Sequence, residues 1–138
     1  MANKTVFDTN IWISFFIKGR FEELVNMVFN NEVEFYRSLE LTRELTKVLS
    51  RKKFNKYLTL PIQEYIDFYE DLSSLIVIIP SFKECRDPKD NYLFDIAYQS
   101  RSKFLVSGDK DVRDTIITKP LEVVTLRKFK ELILPPKN

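Results

Sequence analysis

Short apolar runs alternate with longer segments of helical periodicity along this chain of 138 residues. Four runs rich in β-branched and aromatic residues are typical of strands. These runs lie at positions 5–7, 33–36, 104–106 and 123–124. An unbroken aliphatic run at 75–79, closed by Pro80, predicts one more strand, which we expect to be covered on both faces.

Helices are predicted between these strands, because apolar residues there dominate or recur every three or four positions, as at 11–16 and 21–29. Ser38 is a suitable N-cap for a helix that continues to about residue 50. Pro61 opens another helix, and Asp87-Pro88 supplies an N-cap and a first-turn proline for the next. Strands that alternate with helices predict a single α/β domain over residues 1–138, with a parallel sheet wrapped on both sides.

The composition excludes several kinds of functional site. The chain has no His and one Cys, so it cannot use imidazole chemistry, an intrachain disulfide or a Cys-rich zinc site. Its two glycines, Gly19 and Gly108, are too few for a Gly-rich phosphate-binding loop. The formal net charge of +2 does not by itself indicate a nucleic-acid partner. The remaining catalytic chemistry is that of carboxylates, hydroxyls and amines.

The hydrophobic pattern also predicts where the protein works. The first apolar stretch, at 11–17, is too short for the apolar part of a signal peptide followed by a cleavage site. No apolar run approaches the length of a transmembrane helix. We therefore expect a cytoplasmic protein without a membrane partner.

Four acidic residues occupy positions that suggest a shared site. Asp8 and Asp109 each follow a predicted strand closely, so both are expected at the carboxyl edge of a parallel sheet. Glu44 and Asp90 lie on the apolar stripes of their helices, where a charge must be paired or bound to a cation. Taken singly, each has an ordinary explanation as a turn, cap or salt-bridge residue. Together they indicate one acidic cluster, and oxygen ligands without His favour Mg²⁺ or Mn²⁺.

The sequence around these carboxylates resembles that of PIN-domain ribonucleases and, more narrowly, that of bacterial VapC-type toxins from toxin–antitoxin pairs. Four motifs carry the resemblance over essentially the whole chain. They are VFDTN around Asp8, LTRELTKVL around Glu44, DPKDN around Asp90 and SGDKD around Asp109. The resemblance implies a three-layer α/β/α sandwich with a mostly parallel central sheet, and an Mg²⁺- or Mn²⁺-dependent endoribonuclease.

The resemblance also implies roles for individual residues. The catalytic and metal-binding quartet would be Asp8, Glu44, Asp90 and Asp109. Asn10 and Ser107 match polar supporting positions, and Asp111 is a candidate accessory acid. The metal would polarise a phosphate oxygen and activate water for in-line attack, which would leave a 5′-phosphate and a 3′-hydroxyl.

A basic segment that follows the helix of Glu44 is the candidate RNA-binding surface. It contains Arg51, Lys52, Lys53 and Lys56. Phe54 and Tyr57 lie between these cations, and such a mixture suits both phosphates and stacked bases. The same pattern is also typical of a solvated helix end that carries dipole-matched lysines.

The resemblance implies an RNA substrate, a cognate antitoxin protein and a homodimer, for which the apolar segment 11–17 is a candidate interface. Three other interpretations stay open. A haloacid-dehalogenase-like phosphatase would pair Gly108-Asp109 with Asp114, although its second early acid would fall at Asn10. A receiver domain is suggested by Thr118-Lys119-Pro120, although no Asp lies at 45–66 to accept a phosphoryl group. The third is a PIN fold used only for binding.

Overall fold

A computed structural model describes residues 2–134, and its centre is a five-stranded sheet. The strands are β1 (Asn3–Phe7), β2 (Val33–Arg37), β3 (Ser73–Leu75), β4 (Phe104–Val106) and β5 (Glu122–Val124). Their order is β3-β2-β1-β4-β5, and every neighbouring pair is parallel. The predicted α/β class with a parallel sheet is confirmed.

Helices occupy most of the remaining chain. They are α1 (Thr9–Ile17), α2 (Phe21–Phe29), α3 (Leu39–Leu49), α4 (Ile62–Leu72), α5 (Asn91–Gln99), α6 (Lys110–Arg113) and α7 (Leu126–Ile133), with short 3₁₀ helices at Lys52–Phe54 and Pro88–Asp90. The turn between α1 and α2 uses Gly19 at φ +65°, a backbone conformation that glycine adopts without steric cost. None of the helices within residues 2–134 is long and apolar enough to cross a membrane.

The order of the strands places helices on both faces of the sheet. From β1 the chain runs outward to β2 and β3, and then returns across the sheet to β4 on the other side of β1. Because such crossovers are right-handed, this reversal puts α5 on the face opposite to α1–α4. Phe7 of β1 packs against Phe15 of α1 and Phe129 of α7, so α7 covers the same face of the sheet as α1. The three-layer α/β/α sandwich is therefore confirmed.

The apolar segment at 11–17 belongs to the core of the protomer. Its residues Trp12, Phe15 and Phe16 are at most 2% exposed, and Ile11 and Ile13 are also buried. Trp12 packs edge-on against Phe7 and against Tyr69 of α4. The segment is therefore not available as the dimer interface that its sequence suggested.

The prediction for the aliphatic run 75–79 is wrong in both position and burial. Strand β3 ends at Leu75, and its last contact with β2 is a 2.9 Å hydrogen bond from Ile76 N to Arg37 O. Because β3 is an edge strand and β2 ends at Arg37, the segment after Leu75 has no strand beside it among residues 2–134. Val77 and Ile79 are 76% and 73% exposed, whereas Ile78 between them is buried. An aliphatic run therefore did not distinguish an edge segment from a central strand.

Candidate functional site

The candidate site lies at the carboxyl edge of β1 and β4, the two strands between which the chain reverses its direction across the sheet. Asp8 follows β1 directly, and its backbone N–H donates to Val106 O of β4 at 2.9 Å. Ser107 follows β4, and its hydroxyl donates to Asp8 Oδ2 at 2.7 Å. The same Ser107 oxygen accepts the backbone N–H of Asp109 at 3.0 Å. One buried hydroxyl thus connects the two acidic residues at the strand ends.

Two capped helices contribute the other carboxylates. Ser38 begins α3 by accepting the backbone N–H of Leu41 at 3.2 Å, and Glu44 follows one turn later, half-buried beside the core residues of that helix. Asp87 caps the 3₁₀ turn that leads into α5 by accepting the N–H of Lys89 at 3.2 Å. Asp90 closes this turn, as the predicted cap and first-turn proline require.

All four acidic residues line one cavity of about 250 Å³. The other residues around it include two hydroxyl-bearing side chains, an amide and two cations. The complete lining is Asp8, Thr9, Asn10, Glu44, Val48, Arg51, Asp87, Lys89, Asp90, Tyr92 and Asp109. A parallel sheet of this topology places its ligand cleft at this edge, so the position agrees with the fold.

The electrostatics of the cavity favour uptake of positive charge. Burial raises the pKa of the Asp8 carboxyl; the hydrogen bond from Ser107 opposes this shift, while the charges of Asp109 and Glu44 reinforce it. Burial likewise raises the pKa of Asp90 to about 6, and the charge of Asp8 adds to the shift. Both carboxylates are therefore less stable as anions than in water, and a cation beside them would reverse that cost.

The donor set fits a hard divalent cation. Carboxylate and hydroxyl oxygens are the ligands that Mg²⁺ and Mn²⁺ prefer. Within residues 2–134, however, no three acidic or thiol side chains converge closely enough to hold a metal ion. The carboxylates surround the cavity instead of meeting at one point, since Coulomb repulsion between like charges opposes closer approach.

Thr9 and Tyr92 line the cavity as well, and the sequence analysis gave them no role. Thr9 is 4% exposed, and its hydroxyl oxygen has no hydrogen-bond partner in the described part of the chain. The Tyr92 hydroxyl lies near enough to Thr9 to influence the pKa of the phenol, but not in hydrogen-bond geometry. Burial raises the pKa of Tyr92, so its phenol stays protonated. Because Thr9 directly follows Asp8, its position at the strand end was the available signal.

The basic segment divides into two parts. Arg51 lines the acidic cavity. Lys52, Lys53 and Lys56 are exposed outside it. Lys53 Nζ lies 5.0 Å from the ring centre of Phe54, and Lys56 Nζ lies 5.1 Å from that of Tyr57.

Three further polar residues differ in where the structure places them. Asn10, a predicted supporting residue, is exposed on the cavity wall. Asp111, the candidate accessory acid, lies outside the cavity and contacts Arg86 at 3.5 Å. Asp95 is buried away from the site and accepts the backbone N–H groups of Ser81 and Phe82. Its carboxylate therefore holds the loop before α5 in place.

Comparison with known proteins identifies the fold family. The family model described as "PIN domain" matches residues 4–111, which is more than half of the chain. The chain belongs to the PIN domain family. A PIN domain implies nuclease activity in general, and the predicted family is thereby confirmed. The chain is also 29% identical over 113 residues to an uncharacterized protein of Methanocaldococcus jannaschii, an alignment that covers 79% of this chain and 72% of that protein.

Proposed function

We propose that this PIN domain is an Mg²⁺- or Mn²⁺-dependent endoribonuclease whose metal ligands are Asp8, Glu44, Asp90 and Asp109. The observation that carries the proposal is that all four carboxylates line the same cavity at the β1–β4 edge. The raised pKa of Asp8 and that of Asp90, at about 6, support the same conclusion, because a bound cation stabilises the ionised carboxylates.

When bound there, the metal supplies positive charge for a non-bridging phosphate oxygen and lowers the pKa of coordinated water. Residues of the chain would orient the metal ligands and bind the substrate. Ser107 holds Asp8 Oδ2 in place through its 2.7 Å hydrogen bond and fixes the start of the loop that carries Asp109. Asn10, which is exposed on the cavity wall, would contact the substrate or its water. Lys52, Lys53 and Lys56 offer exposed positive charge for the RNA strand.

The biological setting is part of the proposal. The resemblance of the four motifs to VapC-type toxins supports a role as the toxin of a toxin–antitoxin pair, acting in the cytoplasm and possessing a protein partner. A gene for a small DNA-binding protein immediately upstream would support this role. We also propose a homodimer, although its interface lies outside the core segment at 11–17.

The test is a cleavage assay with purified protein, single-stranded and structured RNA, and Mg²⁺, Mn²⁺ or a chelator. We expect cleavage only with metal, and products that carry a 5′-phosphate. Asp8→Asn and Asp90→Asn should each reduce the rate by at least roughly 100-fold, since even residues that only support metal ligands cost 10–100-fold. Asp67→Asn is the matched control, because Asp67 is exposed on α4 and, within residues 2–134, its side chain bonds only to Gln63.

Equal cleavage in chelator, or undiminished cleavage by both site variants, would contradict the proposal. Release of inorganic phosphate from a phosphomonoester, without RNA cleavage, would instead support the phosphatase interpretation. The structure gives that alternative little support, because Asp114 is exposed and forms a 3.0 Å ion pair with Lys110 outside the cavity.

A further inference from the structure

Two cations line the acidic cavity, and they differ in their partners. Lys89 Nζ lies 3.5 Å from Asp87 Oδ2, so its charge is already paired. Arg51 lines the same cavity, yet within residues 2–134 no carboxylate lies within ion-pair distance of its guanidinium. Five carboxylates line the cavity, and Arg51 forms an ion pair with none of them, so its exposed guanidinium is available for an incoming anion.

The backbone of Arg51 is fixed by the end of helix α3 and the start of the next helix. Helix α3 ends at Leu49, and the N–H of Arg51 donates to Val48 O at 3.1 Å. Arg51 then adopts an extended conformation and begins the 3₁₀ helix Lys52–Phe54. Glu44, Val48 and Arg51 all line the cavity, so one helix and its C-terminal turn deliver both a carboxylate and a cation.

The chemistry of the guanidinium suggests what it binds. Arginine presents parallel N–H groups that match two oxygens of one phosphate, and it keeps its charge at every accessible pH. A phosphodiester that enters this cavity places its negative oxygens among carboxylates, and Arg51 is the unpaired cation on the described cavity wall. We infer that Arg51 contacts the phosphodiester that is cleaved, an inference that rests on the proposed nuclease function.

This role separates Arg51 from the neighbouring lysines. Lys52, Lys53 and Lys56 lie outside the cavity and have to act on phosphates that flank the cleaved one. Two of them also rest against aromatic rings, which suits contacts to bases and backbone along the strand. Arg51 therefore acts on the reaction rate and on binding of the cleaved phosphodiester, whereas the lysines act on affinity for the flanking RNA strand.

Single-turnover kinetics separate these roles. Arg51→Gln should lower the rate at saturating RNA by roughly 100-fold, a loss typical of removing one group that stabilises transition-state charge. Arg51→Lys should restore part of that rate, since the charge returns without the paired N–H geometry. The triple Lys→Gln variant at positions 52, 53 and 56 should weaken RNA binding. The slope of the logarithm of the binding constant against the logarithm of the salt concentration should become shallower by about 2, at roughly 0.7 per lost single-strand contact.

Arg20→Gln is the matched control, because Arg20 is exposed beside a separate cavity formed by α1 and Leu126. A second probe does not depend on cleavage: a dinucleotide with one phosphorothioate linkage, titrated in the presence of Mg²⁺. Its affinity should fall roughly 10-fold in Arg51→Gln, as expected for a hydrogen bond to a charged group. The triple lysine variant should change this affinity much less, because none of the three lysines lines the cavity that would take the single linkage of the probe.

The inference is overturned if Arg51→Gln behaves like the lysine variant, with an altered salt slope and an unaltered saturating rate. Unchanged dinucleotide binding by Arg51→Gln overturns it as well. If the wild-type protein cleaves no RNA, the proposed function fails, while the dinucleotide titration still decides whether Arg51 recognises a phosphodiester.

Discussion

Ser107 is the residue on which the geometry of the site depends most directly. It is fully buried, donates to Asp8 Oδ2 at 2.7 Å and accepts from the backbone N–H of Asp109 at 3.0 Å. A hydrogen bond to an ionised carboxylate is worth more than one between neutral groups, and it favours the charged form. Ser107 therefore both orients Asp8 and keeps its pKa lower than burial alone would make it.

Ser107→Ala should lower nuclease activity by roughly 10- to 100-fold, the usual effect of losing a group that orients a metal ligand. The acid limb of the pH–rate profile of this variant should also move to higher pH, because loss of the hydrogen bond raises the pKa of Asp8 further. The measurement is a pH–rate profile. Ser38→Ala is the control, since Ser38 is also buried but caps α3 instead. An acid limb at the wild-type pH in Ser107→Ala would show that Ser107 does not tune Asp8.

Residues of the site differ in how far the sequence revealed them. Asp8 and Asp109 could be placed because strand ends share an edge, and Glu44 because helical spacing fixes its face. Within the described part of the chain, the Thr9 hydroxyl has no hydrogen-bond partner and Arg51 has no ion pair, and neither property could be predicted. Both properties depend on which groups from distant segments approach, and a sequence pattern does not contain those distances.

At the scale of elements, the helix caps and most strands could be predicted from local sequence, whereas the end of the edge strand β3 could not. Ser38 caps α3, and Asp87 caps the turn into α5, as their positions before apolar periodic segments predicted. The prediction of a buried strand at 75–79 is wrong because aliphatic residues occur both in buried strands and in edge segments whose alternate side chains are exposed to solvent. Which of these occurs depends on the length of β2, which ends at Arg37.

Helix α1 provides a test of the corrected role of segment 11–17. Phe15→Ala should destabilise the protomer by about 3–5 kcal/mol, because a buried ring is removed from beside Phe7. Phe29→Ala is the control on α2, where the ring is 80% exposed and its loss should cost little. Denaturant unfolding and size-exclusion chromatography measure the two outcomes. An unchanged unfolding midpoint with an altered oligomeric state in Phe15→Ala would instead restore the segment as an interface.

At the scale of the whole molecule, the fold brings several carboxylates together at the carboxyl edge of β1 and β4, and their mutual repulsion lowers the stability of the metal-free protein. Because the folded-state pKa of Asp90 is raised from 3.8 to about 6, folded Asp90 binds a proton more tightly than unfolded Asp90. The stabilisation of the folded state by this tighter proton binding is therefore complete below about pH 4 and is lost as the pH rises to about 6. Above that pH the metal-free fold carries ionised carboxylates that repel one another, and a divalent cation would remove the repulsion.

The melting temperature of Asp90→Asn, with and without Mn²⁺, tests the proposed metal site most directly. Near neutral pH and without metal, the variant should melt higher than the wild type, because a repelling charge is gone. Mn²⁺ at ten times its dissociation constant should stabilise the wild type by about 1.4 kcal/mol, or roughly 4 °C for a domain of this size. The variant should gain less, and Asp67→Asn should behave like the wild type. A lower metal-free melting temperature for Asp90→Asn, together with no wild-type shift on adding Mn²⁺, would contradict the metal site.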